Sequence, residues 1–129
     1  MITIKLPFTT DQNGIDTILK LQKTVSPIVR SAYCRFMDGN KQLAVRTYLR
    51  NTFPGADSWF LQSALYDGMA MATVDTNQKR PRIFGGKLNF KARKENKITS
   101  EEYKLQRLLP ASSVGEAIQK GNRKFSIDN

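Results

Sequence analysis

Hydrophobic positions change their period twice along this chain. At the start Ile2, Ile4, Leu6 and Phe8 alternate with Thr3, Lys5 and Pro7, the period of a half-buried strand. From residue 9 the spacing turns helical. Thr9, Thr10 or Asp11 can cap a helix that carries Ile15, Ile18, Leu19 and Gln22, then Val25, Ile28, Val29, Ala32, Tyr33 and Phe36. Pro27 is a possible kink or break in it, and Asp38-Gly39-Asn40 ends it. A second helix is predicted over Lys41–Asn51, closed by Pro54-Gly55. A third begins near Asp57 or Ser58 and carries Phe60, Leu61, Ala64, Leu65, Gly68, Met69 and Ala72. The Met and aromatic stripes on this block read as core.

Past Val74 the helical period fades, and Val74–Pro81 reads as a polar linker or exposed loop. Arg82-Ile83-Phe84 is predicted to be a short strand and Gly85-Gly86 a turn, with a short helix over Leu88–Arg93. Thr99-Ser100-Glu101-Glu102 is a capping box, launching a helix through Tyr103, Leu105, Leu108 and Leu109 that stops before Pro110. Ala111–Asn129 looks like one or two more strands. The expected fold class is therefore α+β, a β-rich body with a helical insertion between its first and second strands. The expected organisation is a first strand in 1–10, the insertion in 11–78 and a basic remainder in 79–129.

Charge reinforces that division. Thirteen of the 21 Lys and Arg residues lie at or after Lys79, against five of the 11 acids, so about +8 of the formal +10 sits there. So lopsided a charge points to a polyanionic partner. Histidine is absent, which excludes Ser-His-Asp and Cys-His catalysis, and one cysteine leaves too few soft ligands for the common zinc sites. Cys34 itself reads as a reduced, intracellular packing residue. The acids are scattered, and Asp11, Asp16, Glu101 and Glu102 stand at helix starts, where the dipole favours them. No catalytic residues, metal site or cofactor are expected. No apolar run reaches the roughly 18 residues of a membrane span, and the start lacks a signal peptide's apolar core, so a cytoplasmic protein is expected.

The candidate chemistry is binding. Gly85-Gly86-Lys87 is not a phosphate loop, since Leu88 follows the lysine and the glycines are adjacent. It reads either as a turn needing positive φ, or as a turn whose N–H groups approach a phosphate with Lys87 behind them. Gly121-Asn122-Arg123-Lys124 has the same character, with donors for phosphate or 2′-hydroxyl. Together with Lys91, Arg93, Lys94, Lys97, Lys104, Arg107 and Lys120 they favour nucleic acid over a merely solvated face. The residues chosen as contacts are Lys87, Arg93, Lys94, Arg107, Lys120, Asn122, Arg123 and Lys124, with Gly85, Gly86 and Gly121 giving close backbone approach. Phe84, Phe90, Tyr103 and Phe125 could stack on bases, although Phe125, between Lys124 and Ser126, could instead point into the core. In the helical block Arg30, Arg35, Lys41, Arg46 and Arg50 form either a second, sparser basic face or a solvated one; Arg46 and Arg50 share a helix side.

In their order, several stretches resemble the N-terminal part of the transposon-encoded RNA-guided nucleases called TnpB and of type V CRISPR effectors. They are Val25–Tyr33, Ser58–Ala64, Ile83–Lys87, Arg107–Pro110, Gly115-Glu116-Ala117 and Gly121–Phe125. The resemblance implies a wedge β-barrel with an inserted helical recognition lobe. It implies structured guide RNA and an RNA–DNA duplex as partners, and a bacterial, phage or mobile-element origin. That family's chemistry lies in a later RuvC-like domain, whose three carboxylates bind two Mg²⁺, and in its zinc-finger insertion. This chain ends at Asn129 before any of that, so nuclease activity is not expected of it, and a C-terminal nuclease domain in cis or trans is a further partner. The rival expectation is a protein-interaction module, a regulator docking on a nuclease or ribonucleoprotein, whose basic surface meets an acidic protein face.

Overall fold

A computed structural model describes residues 9–110, which form five helices: α1 (Gln12–Met37), α2 (Gln42–Thr52), α3 (Ser58–Asn77), α4 (Lys87–Lys94) and α5 (Ser100–Gln106). Among the described residues there is no strand. The expected α+β class with a barrel-like wedge is therefore corrected: the fold is helical. The strands expected over Ile2–Phe8 and in Ala111–Asn129 lie outside the described residues.

At Arg82-Ile83-Phe84 the strand fails for a visible reason. The Arg82 N–H donates to the Tyr33 hydroxyl at 3.1 Å and to Asp75 Oδ2 at 3.2 Å, so it is taken by α1 and α3 and not offered to a neighbouring strand. Pro81 and the Gly85-Gly86 turn leave only three residues between them, too few to pair.

Helix α1 opens on Asp11, whose side chain accepts from the Gly14 N–H at 2.8 Å. It runs unbroken through Pro27. That proline cannot donate to the carbonyl four residues back, but the helix continues past it, with Ser26, Ile28 and Val29 buried around it. The core is Val25, Ile28, Val29 and Ala32 of α1, Val45 and Leu49 of α2, and Ala64 and Leu65 of α3. The first turns of α1 are different: Ile15, Ile18 and Leu19 stay exposed.

Helices α1 and α3 approach each other closely at Gly68. A Cβ there would lie 2.7 Å from the Ala32 Cβ and 2.8 Å from the Tyr33 backbone nitrogen. Ala64, Gly68 and Ala72 put one small, buried residue on every turn of α3.

Helix α3 extends four residues, Val74 to Asn77, into the segment expected to be a loop. Its end is a Schellman closure: Arg80 N–H donates to Asp75 O at 3.0 Å and Lys79 N–H to Thr76 O at 3.1 Å. Lys79 holds the left-handed position, at φ +50. At the end of α4 Asn96 takes the same place, at φ +56.

Four contacts tie residues 79–110 back onto the helical block. Asp75, only 5% exposed, accepts from the Tyr33 hydroxyl at 2.7 Å and from both prongs of Arg82, at 2.7 and 2.8 Å. Phe84 meets Tyr33 edge-on, with ring centroids 5.2 Å apart. At the other end Leu109 N–H donates to the buried Ser26 hydroxyl at 2.8 Å. Between these ends Arg30 Nη1 donates to the Arg107 carbonyl at 3.2 Å. Helices α4 and α5 thus form a hairpin pinned to α1 at Tyr33 and at Ser26.

Candidate nucleic-acid interface

Because the hairpin is pinned at its ends, a groove opens between it and α1. One part, of about 470 Å³, is lined by Lys23, Arg30, Lys104 and Arg107, with Glu101 on its edge. The other, of about 530 Å³, is lined by Arg30, Arg35, Arg82 and Arg107 with the rings of Tyr48, Phe84, Phe90 and Tyr103. Pro27, Arg30 and Arg107 belong to both parts.

The turn that builds this groove depends on Gly85. Gly86 N–H closes it onto Ile83 O at 3.0 Å, and Gly85 sits at φ +86, as a turn of this kind requires at its third position. A Cβ on Gly85 would also stand 3.1 Å from both Arg107 Cγ and Tyr103 Cε2. Asn89 Nδ2 donates to Gly85 O at 2.7 Å and the Tyr103 hydroxyl to Phe84 O at 3.0 Å, which locks α4 against α5. The Thr99–Glu102 capping box expected for α5 is formed, with Thr99 Oγ1 accepting from Glu102 N–H at 3.1 Å. The helix ends at Gln106, three residues before the expected stop, and the chain then turns to place Leu109 on the core.

The charges in the groove fall into two kinds. Arg82 is neutralised by Asp75, whose carboxyl the Arg82 guanidinium holds at about 2, below its ordinary 3.8. Arg35 lies 3.7 Å from Asp38 and stacks over Tyr48 at 4.2 Å. Glu101 pairs with Lys104 at 2.7 Å, and that hydrogen bond lowers its pKa. Arg30 and Arg107 are the other kind. Neither meets a carboxylate among the described residues, and Arg107 Nε is buried without a partner. Burial, and after it the charge of Arg107, pushes the Arg30 pKa down from the ordinary arginine value. Two guanidiniums held together without a counter-ion repel each other. An anion bound beside them would offset that repulsion.

Of the residues expected from sequence to bind, Arg107 lines both parts of the groove. Lys94 stands beside it, its ammonium 5.2 Å from the Phe90 ring. Lys87 is exposed on the first turn of α4, Gly86 caps that helix, and Arg93 Nη1 reaches Asn96 Oδ1 at 3.4 Å; none of these three lines the groove. Arg46 and Arg50 lie apart, flanking a small cleft between α2 and α3 in which Arg46 Nε is buried and unpartnered. Lys120, Gly121, Asn122, Arg123 and Lys124 lie outside the described residues, as does Phe125. The other three aromatics named for stacking, Phe84, Phe90 and Tyr103, come together in the larger cavity.

Sequence reasoning gave Arg30 no choice between a binding face and a solvated one. Its signal is the stripe Lys23, Pro27, Arg30 and Cys34, which recurs every three to four residues on the flank of an otherwise apolar helix. Cys34, expected to pack inside, is exposed and lines the larger cavity. Its position follows that stripe, one turn beyond Arg30.

Compared with known proteins, the chain matches no family model, no curated protein and no solved structure. Among the described residues no helix is long and apolar enough to cross a membrane.

Proposed function

We propose that this chain is a nucleic-acid-binding module whose groove between α1 and the α4–α5 hairpin holds a phosphate backbone. The observation that carries the reading is the uncompensated pair Arg30 and Arg107, set beside four aromatic rings. Guanidinium forks match phosphate oxygens two at a time, and aromatic faces accept bases of any sequence. The exposed lysines Lys23 and Lys94 extend the positive field around the groove.

The proposed role is to hold nucleic acid and not to cut it. Several carboxylates already have structural work: Asp11, Asp57 and Glu102 close helix starts, and Asp75 anchors Arg82. The chain's resemblance to the N-terminal region of TnpB-like RNA-guided nucleases makes structured guide RNA, and the RNA–DNA duplex it forms, the ligands proposed. A cytoplasmic setting in a bacterium, phage or mobile element goes with that proposal.

The test is affinity for a structured RNA at two salt concentrations. With several phosphate contacts, binding falls by about 10-fold or more between 50 and 200 mM salt, as released counterions dictate. A protein purified with a stoichiometric acidic protein partner, and with no measurable RNA affinity at low salt, contradicts the reading.

A further inference from the structure

The larger cavity is the right size for one nucleotide. Its volume of about 530 Å³ falls within the range of roughly 300–1,000 Å³ typical of pockets for small ligands. Aromatic side chains furnish most of its apolar lining, and a duplex keeps its base faces hidden in the stack, where no side chain can reach them.

We propose that the groove holds a single nucleotide turned out of its stack, with its phosphate between Arg30 and Arg107 and its base against Phe90. This rests on the nucleic-acid reading above and makes it specific. Phe90 is 38% exposed and lines the cavity, beside Tyr103, at 6.4 Å between ring centroids, and the Lys94 ammonium. The Arg35 guanidinium, 4.2 Å from the Tyr48 ring centroid, is a second planar group in the same lining, of a kind on which bases stack. Arg30 and Arg107 belong to both parts of the groove, so a phosphate held there has the aromatic cavity on one side. On the other side the neighbouring cavity, with Lys23 and Lys104, takes the chain onward. Continuity on that side makes the ligand a polynucleotide and not a free nucleotide. The selected feature is thus an unpaired position, such as a bulge or the mouth of a loop.

The experiment uses the full chain and two RNA hairpins, identical except that one carries a single-nucleotide bulge bearing 2-aminopurine. The bulged hairpin binds about tenfold tighter, the size of one base–aromatic stack, and its 2-aminopurine emission changes on binding. Phe90→Leu keeps an apolar contact with Tyr103 and removes the ring, so it brings the bulged hairpin to the affinity of the continuous one, with helix content by circular dichroism unchanged. Arg30→Gln weakens both hairpins alike. Equal affinity of the unaltered protein for the two hairpins overturns the proposal and leaves the nucleic-acid reading standing, as does a bulge preference that survives Phe90→Leu. Adenosine monophosphate competing at concentrations equal to the bulged hairpin overturns the polynucleotide assignment. No binding of either hairpin at low salt overturns both.

Discussion

Arg30 and Arg107, 77 positions apart, meet in one groove, where the first donates to the backbone carbonyl of the second at 3.2 Å. Neither has a carboxylate against it among the described residues. A like-charged pair with an orphaned buried donor is an unfavourable arrangement in the free protein. Under the phosphate-binding proposal it is kept for function and not for stability.

Arg107→Met separates those two roles. Methionine is of similar length and keeps the packing beside Tyr103 and Gly85, while it removes both the repulsion and the unpartnered Nε. The variant gains about 1 kcal/mol of stability in urea unfolding, within the cost usual for a buried unsatisfied donor. Its affinity for structured RNA falls at least tenfold, at about 1.4 kcal/mol per factor of ten.

Asp75 and Arg82 give a pH signature. The Asp75 carboxyl titrates near 2 in the folded chain against an ordinary 3.8, so the pair's contribution is present above about pH 4 and is lost as the pH falls toward 2. Asp75→Asn costs about 1–2 kcal/mol at neutral pH, after allowance for the partly exposed Arg82, and the difference from the unaltered protein closes below pH 3. Arg82→Gln costs more, about 3 kcal/mol at pH 7, because it leaves a buried carboxylate without a cation, held only by the Tyr33 hydroxyl and the backbone N–H of residue 82. Unfolding curves between pH 2 and 7 check both.

Gly68→Ala tests the crossing of α1 and α3. Alanine favours a helix by about 1 kcal/mol over glycine, yet its methyl would meet the Tyr33 backbone nitrogen at 2.8 Å. Backbone cannot swing aside as a side chain can. A net loss of about 1–2 kcal/mol is expected in thermal unfolding, where an exposed helical glycine would show a gain.

Lys79→Gly runs the other way. Lys79 closes α3 at φ +50, the position where glycine is at ease. The substitution gains about 0.5–1 kcal/mol, provided the exposed lysine side chain makes no compensating contact.

The same lysine explains a boundary that the sequence hid. Residues 74–81 read as a loop because no glycine marks the end of α3, and because Asp75 looks like a surface acid until Arg82 and Tyr33 are seen to enclose it. The helices themselves were legible wherever a 3.6-residue apolar spacing met a capping residue, as at Asp11, Asp57 and Thr99. The short helix after Gly85-Gly86 was legible although Gly86, at its start, offers no side-chain cap. The strand expected at Arg82-Ile83-Phe84 was not, since what decides it is a hydrogen bond to Tyr33, 49 residues away. Arg107 and three stacking aromatics could be named from the basic C-terminal stretch. Arg30 could not be chosen, because its partner in the groove is set by the Ser26–Leu109 and Tyr33–Phe84 anchors, which are tertiary contacts.

The central claim, that the Arg30–Arg107 groove grips phosphate, is tested most directly by the salt dependence of RNA binding for the unaltered chain and for Arg30→Gln. Log affinity should fall linearly with log salt concentration, and the slope should become shallower by about 1 when Arg30 loses its charge. A slope unchanged by the substitution, or an affinity flat in salt from the outset, would contradict it.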